Sequence, residues 1–189
     1  MKTLSNLFFA LLIGLFCVGT SVAQTSKADK KAAKSAELKR IIDGKNYAFK
    51  ANFAQPLSTI NAQIGGMSTP LNTSNIPLTS SYDVTLSHDT LSAYLPYYGV
   101  AYTAPVDSRE GGVKFTTTKF DYKVTGKKNG TVQLSFKPLE LNQRPPSDVQ
   151  SMTLTVSESG FANLQITLLN RQSISYTGTL EEIKPKKAS

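Results

Sequence analysis

The side chains able to do acid–base or metal chemistry in this sequence are few and scattered. His88 is the only histidine, and it stands beside Asp89 in the turn-type stretch Ser87-His88-Asp89-Thr90. A catalytic histidine needs a nucleophile and an orienting acid within reach, and no such partners are marked here. One histidine and one cysteine, Cys17, leave only carboxylates for a metal, and no Asp-rich calcium loop is present. We therefore expect no catalytic set, no metal and no cofactor. Residues 51–180 do hold Asp83, Asp89, Asp107, Glu110, Asp121, Glu140, Asp148 and Glu158. A glycosidase works with two such groups, so a hydrolase built on a carboxylate pair stays open as an alternative, although most of these residues fall in turns or at outward strand positions.

The densest unusual chemistry is aromatic. Tyr94, Tyr97, Tyr98 and Tyr102 crowd the segment Ala93-Tyr94-Leu95-Pro96-Tyr97-Tyr98-Gly99-Val100-Ala101-Tyr102, where Pro96 and Gly99 force a bend. Rings with polar tips suit a glycan or amphipathic ligand at a pocket mouth. The plainer alternative has them cover the core where the strand bends.

The elements that position these residues change character at Gly44. Residues 27–43 are rich in helix formers, with Leu38, Ile41 and Ile42 gathered at the end and Gly44 as a stop. Beyond it the apolar period becomes two. Tyr47, Phe49, Ala51 and Phe53 share a phase, as do Tyr82, Val84 and Leu86, then Leu91, Ala93 and Leu95. Later runs repeat this at Val132–Phe136, Met152–Val156, Ala162–Leu168 and Ile174–Leu180. Such alternation places one face on a core and the other in water, and it excludes a parallel sheet buried on both sides. Between Val113 and Val124 the phase slips near Thr116–Lys119, which calls for a bulge or for two short strands with a break. Turn residues at Ser87–Thr90, Lys127–Gly130 and Ser157–Gly160 join the runs as hairpins. Residues 55–80 lack a clear pattern and suit an irregular strand or a flap over one end of the sheet.

The fold class expected is all-β, mainly an antiparallel barrel-like or two-sheet sandwich with one N-terminal helix. The organisation expected is a signal peptide over 1–23, a basic helical arm over 24–44, the β domain over 45–181 and a flexible basic tail over 182–189.

Residues 1–24 read as an export signal. Lys2 supplies the positive start, Leu7–Val18 the apolar run, and Ser21-Val22-Ala23 the small residues before a cut. Leu15-Phe16 precede Cys17 where lipoprotein processing requires small residues, so a lipid anchor is not expected. Cleavage also removes the only thiol, and no stable membrane span remains. The formal net charge of +8 sits largely before residue 51. Residues 51–180 are nearly neutral, which argues against nucleic acid, whose binders cluster basic groups on a folded face.

Several motifs in order resemble domain-of-unknown-function family 4251. They are Tyr94-Leu95-Pro96-Tyr97-Tyr98-Gly99, Gly111-Gly112-Val113-Lys114-Phe115, Gly160-Phe161-Ala162 and Arg171-Gln172-Ser173-Ile174-Ser175-Tyr176-Thr177-Gly178. The resemblance spans roughly Ile41 to Leu180. It implies a secreted or lipid-anchored protein of Bacteroidetes-type bacteria, an envelope location and no assigned activity. It also implies that Asp89-Thr90-Leu91 fits a short pattern O-glycosylated in such bacteria, making Thr90 a modification candidate.

Together these point to an exported, non-enzymatic cell-envelope protein in the periplasm or envelope. We expect it to bind a small molecule, a glycan or an envelope protein. A structural or assembly partner of another envelope protein is the alternative, and the sequence leaves oligomeric state open. Protein recovered from the cell envelope is expected to show the intact mass of residues 24–189, with any added sugar mapping to Thr90. A mass that retains residues 1–23 overturns the cleavage.

Overall fold

The computed structural model describes residues 27–57, 60–64, 67–71, 75–102, 111–127, 130–139 and 148–183. The expected signal peptide over 1–23 and the tail from 184 onward lie outside the described residues.

One helix, α1 (Lys27–Asp43), precedes the strands. Leu38 and Ile42 bury their side chains in the core, and Ile41 packs partly against it. The helix closes with Gly44 N–H donating to the Arg40 carbonyl at 3.0 Å and Lys45 N–H to that of Ile42 at 3.1 Å. The left-handed residue that turns the chain away is Lys45 (φ 47°), not Gly44. Arg40 reaches both Glu37 (2.8 Å) and Glu182 (2.7 Å), tying the last turns to the end of the final strand. Pairs this exposed add little to stability, so the buried Leu38 and Ile42 do most of the docking.

The strands follow as β1 (Asn46–Pro56), β2 (Ile60–Ile64), β3 (Met67–Leu71), β4 (Ile76–Ser87), β5 (Thr90–Leu95), β6 (Val113–Thr117), β7 (Phe120–Gly126), β8 (Val132–Pro138), β9 (Val149–Val156), β10 (Phe161–Leu168) and β11 (Ile174–Glu182). β2 and β3 pair with each other, so residues 55–80 hold a hairpin and the first part of β4. The other strands form a nine-stranded antiparallel sheet ordered β6-β5-β4-β1-β11-β10-β9-β8-β7. Its two edge strands, β6 and β7, are consecutive in the chain and joined only by Thr118 and Lys119. Because every neighbour is antiparallel, β6 and β7 run in the same direction, so the chain leaves one edge of the sheet and enters the other without turning back. The sheet must therefore curl into a nearly closed barrel. The phase slip at Thr116–Lys119 is resolved as two short strands with a break, at the place where the chain passes from β5 to β8.

Alternation fills the interior. Tyr47, Phe49, Leu86, Leu91, Phe115, Leu134, Phe136, Leu164 and Tyr176 are fully buried. One member of the expected inner set faces outward instead. Phe53 is exposed and Ala54 takes the inner place, because register slips between Ala51 and Phe53 against both β4 and β11. A bulge at Asn52 restores the phase one residue late. Val124 is exposed near the end of β7.

The connections sort by end. At one end lie the tight turns: His88-Asp89 between the paired Ser87 and Thr90, with His88 at φ 54°, the turn after Gly126, and Ser157–Phe161. The last turn of α1 joins them there, the Lys45 carbonyl accepting from His88 N–H at 2.7 Å. At the opposite end the sheet's strands stop and resume at Leu57 and Asn75, at Pro96 and Gly112, and at Leu139 and Asp148, with the short Leu169–Ser173 link.

Gly178 of β11 lies directly over β1. A Cβ placed there would collide with the Lys50 carbonyl oxygen, whereas one at Gly126 would meet nothing within 4 Å. Gly178→Ala is expected to cost roughly 2–3 kcal/mol, as overpacking against fixed backbone does, and Gly126→Ala within about 0.5 kcal/mol. Denaturant unfolding of both variants checks this pair.

Candidate functional site

At the long-connection end the chain leaves β5 at Leu95 and turns at Pro96. The Pro96 carbonyl accepts from the Tyr176 hydroxyl at 2.6 Å, which fixes the exit against the barrel interior. Tyr97 then folds back over Gly99, where a Cβ would collide with the Tyr97 hydroxyl. That hydroxyl donates to the Gln172 carbonyl at 2.8 Å and lies 3.0 Å from that of Val100. The segment is laced to the β10–β11 link by backbone bonds. Tyr102 N–H donates to Asn170 O and Gln172 N–H to Val100 O, each at 2.9 Å, around an Ala101–Arg171 bridge.

Arg171 holds this end together. Its Nε and Nη2 donate to the two oxygens of Asp148 at 2.9 and 2.5 Å, and Nη1 donates to Gly112 O at 3.1 Å. Its guanidinium carbon sits 4.6 Å from the centre of the Tyr97 ring, a cation–π distance. The Arg171 and Asp148 side chains are only 17% and 12% exposed. Burial alone would lower the Arg171 pKa, but the bonds and charge of Asp148 outweigh it and hold the guanidinium charged. One planar fork thus binds the start of β9, the Gly111-Gly112 approach to β6, and the tyrosine bend.

The expected aromatic mouth is divided. Tyr97 and Tyr98 are half-buried and pack against the core, while Tyr102 is 70% exposed on the rim. Tyr94 stands on the outer wall, stacked on Tyr82 with ring centres 5.6 Å apart and Lys114 Nζ at 5.7 Å. Thr90 is half-buried beside the His88-Asp89 turn, at the far end of the barrel. Of the expected carboxylates, Asp148 is engaged by Arg171, whereas Asp89 and Glu158 occupy turns at the far end; Asp107, Glu110 and Glu140 lie outside the described residues. Among the described residues no group of three or more His, Cys, Asp or Glu side chains gathers to hold a metal ion.

Sequence reasoning missed the role of Arg171. The signal available was the β9–β10 hairpin, whose Val149–Leu168 pairing brings Asp148 level with the link that carries Arg171. It also missed that exposed apolar side chains collect at this end. Leu57, Leu139 and Leu169 follow the last residues of β1, β8 and β10, three strands that run in one direction, and Val100 and Tyr102 join them; all five are exposed.

Burial raises the pKa of Tyr97 and Tyr176 here, and of Tyr47 near α1, where Tyr122 adds to the effect. The fold thus favours the neutral phenols, which the unfolded chain ionises near pH 10. The stabilisation is complete below that pH and is lost as pH rises above it. Unfolding free energy is expected to fall steeply above about pH 10, and less steeply in Tyr47→Phe. Denaturant titrations between pH 8 and 11.5 measure both slopes.

A family model described as Domain of unknown function (DUF4251) matches residues 29–180 of the chain. Among solved structures, the chain is similar to the crystal structure of a DUF4251 family protein from Bacteroides eggerthii DSM 20697. The identity is 14%, the match covers 80% of this chain and 91% of that one, and the TM-score is 0.46. No curated protein matches the chain.

Proposed function

We propose that this chain, which belongs to the DUF4251 family, is an exported, non-enzymatic binding module of the cell envelope. Its ligand or partner protein is taken at the long-connection end of the barrel. One observation carries the reading: the exposed apolar side chains Leu57, Val100, Tyr102, Leu139 and Leu169 stand at the same end as the long connections. Large apolar groups left in water and held on a rigid frame are what a contact surface requires. The Arg171–Asp148 pair supports it, because it fixes the Val100–Tyr102 segment before any ligand arrives, which lowers the entropy lost on binding. Export rests on the Lys2, Leu7–Val18 and Ala23 pattern. Among the described residues no helix is long and apolar enough to cross a membrane.

A non-enzymatic role is supported by where the reactive groups stand. His88 lies at the end opposite the tyrosine bend, and Asp148 is bound by Arg171.

The test is binding by purified protein to envelope lipids and envelope glycans, with in-cell crosslinking to find a partner protein. Wild type is expected to bind one class saturably, and Tyr102→Ala with Leu169→Ser to weaken that binding about tenfold or more. Both residues are exposed, so the melting temperature should hold. No saturable binding and no crosslink, or equal binding by the variant, overturns the proposal.

A further inference from the structure

We infer that the outer wall of β8–β11 is a binding face for an extended neutral polysaccharide, separate from the long-connection end. Outward positions on four adjacent strands fall into rows by the pairing register. One row runs Gln133–Thr155–Asn163–Thr177, and the next Ser135–Thr153–Gln165–Ser175. Every member is a hydroxyl or an amide, and no formal charge interrupts either row. Among the described residues none of these side chains hydrogen-bonds another group, so each keeps its donor and acceptor for a ligand. Two exposed rings border the array. Phe53, turned outward by the Asn52 bulge, pairs with Thr177 at the end of the first row, and Phe161 precedes Asn163 on β10.

The chemistry selects the ligand. An ordinary solvated strand face carries lysine and glutamate, and the other half of this barrel does so: Lys50, Asp83 and Lys114 share a row there. The two rows carry no cation of their own to pair with a polyanion. It offers what sugar hydroxyls need, which is many two-way hydrogen-bonding groups with aromatic faces beside them. Adjacent strands lie about 4.8 Å apart, close to the length of one sugar unit in an extended β-linked chain. A glycan laid across the strands would therefore meet a fresh hydroxyl or amide at each unit.

The experiment is native electrophoresis toward the cathode in gels containing hydroxyethyl cellulose, mixed-linkage β-glucan or arabinoxylan, with alginate as the anionic control. Wild type is expected to be retarded in at least one neutral gel. Thr153→Val/Thr155→Val/Thr177→Val removes three hydroxyls while keeping shape and strand preference, and is expected to abolish the retardation with no loss of melting temperature. Phe53→Ala should weaken it. Tyr102→Ala, altered only at the other end, should migrate as wild type does, so the two readings fail separately. Several results overturn the inference: no retardation in any neutral gel, retardation in alginate alone, or equal retardation of the valine variant. Self-association that the valine variant abolishes, read by light scattering, overturns it too, since a second copy would then be the occupant.

Discussion

The passage from β6 to β7 through Thr118 and Lys119 constrains everything else in this barrel. Two strands that run in one direction and are separated by two residues cannot form a hairpin, yet they are the opposite edges of one antiparallel sheet. The only way to satisfy both is to bend the sheet until its edges approach one another. The curl sets how much side-chain volume the interior holds, while β6 and β7 remain the edges of the sheet. Two large tyrosines fit there only because each delivers its hydroxyl toward an end. Tyr47 meets the Tyr122 hydroxyl at 3.0 Å near α1, and Tyr176 meets the Pro96 carbonyl at the opposite end. A buried phenol without such a partner would cost about 1–3 kcal/mol.

An up-and-down barrel also divides its connections between two ends, and this chain treats the ends differently. One is closed by short turns and the last turn of α1. The other is closed by a charge: Arg171 and Asp148 are mostly removed from water where an apolar plug would have been simpler. Replacing such a pair with apolar groups is often neutral or stabilising, so stability alone does not account for it. What the pair supplies is registration. A guanidinium that holds Asp148, Gly112 and the Tyr97 ring fixes three connecting segments relative to one another, which a greasy plug of variable rotamers would not do.

Much of this was legible in the sequence, and the misses have physical causes. Alternation gave the strands from Val132 to Leu180 and the turns between them, because a solvated sheet face leaves a period of two. The slip at Thr116–Lys119 was visible as a change of parity. Alternation puts Phe53 inside because nothing in Ala51-Asn52-Phe53 marks a bulge; the extra residue at Asn52 shows only in the pairing with β11. The β2–β3 hairpin leaves no clear alternation in its Ser-, Thr- and Asn-rich stretch, because its short strands pair only with each other. Of the site, the tyrosine bend was readable, but its division between rim, core and outer wall was not. Arg171 and Asp148 stand apart in the chain and meet only once the β9–β10 pairing exists.

Composition of the outer wall carries the last step. Threonine at outward strand positions needs no special cause, since its branched side chain suits a pleated surface. That accounts for Thr153, Thr155 and Thr177. It does not account for Asn163, which strands disfavour, placed in β10 between Thr155 and Thr177. Nor does it account for the charged row, where the same barrel sets Lys50 and Asp83 at equivalent outward positions. Solubility would be served as well by charge on both halves. An amide retained where local preference opposes it, with hydroxyls on either side and no intramolecular partner, is placed for something that meets it from outside.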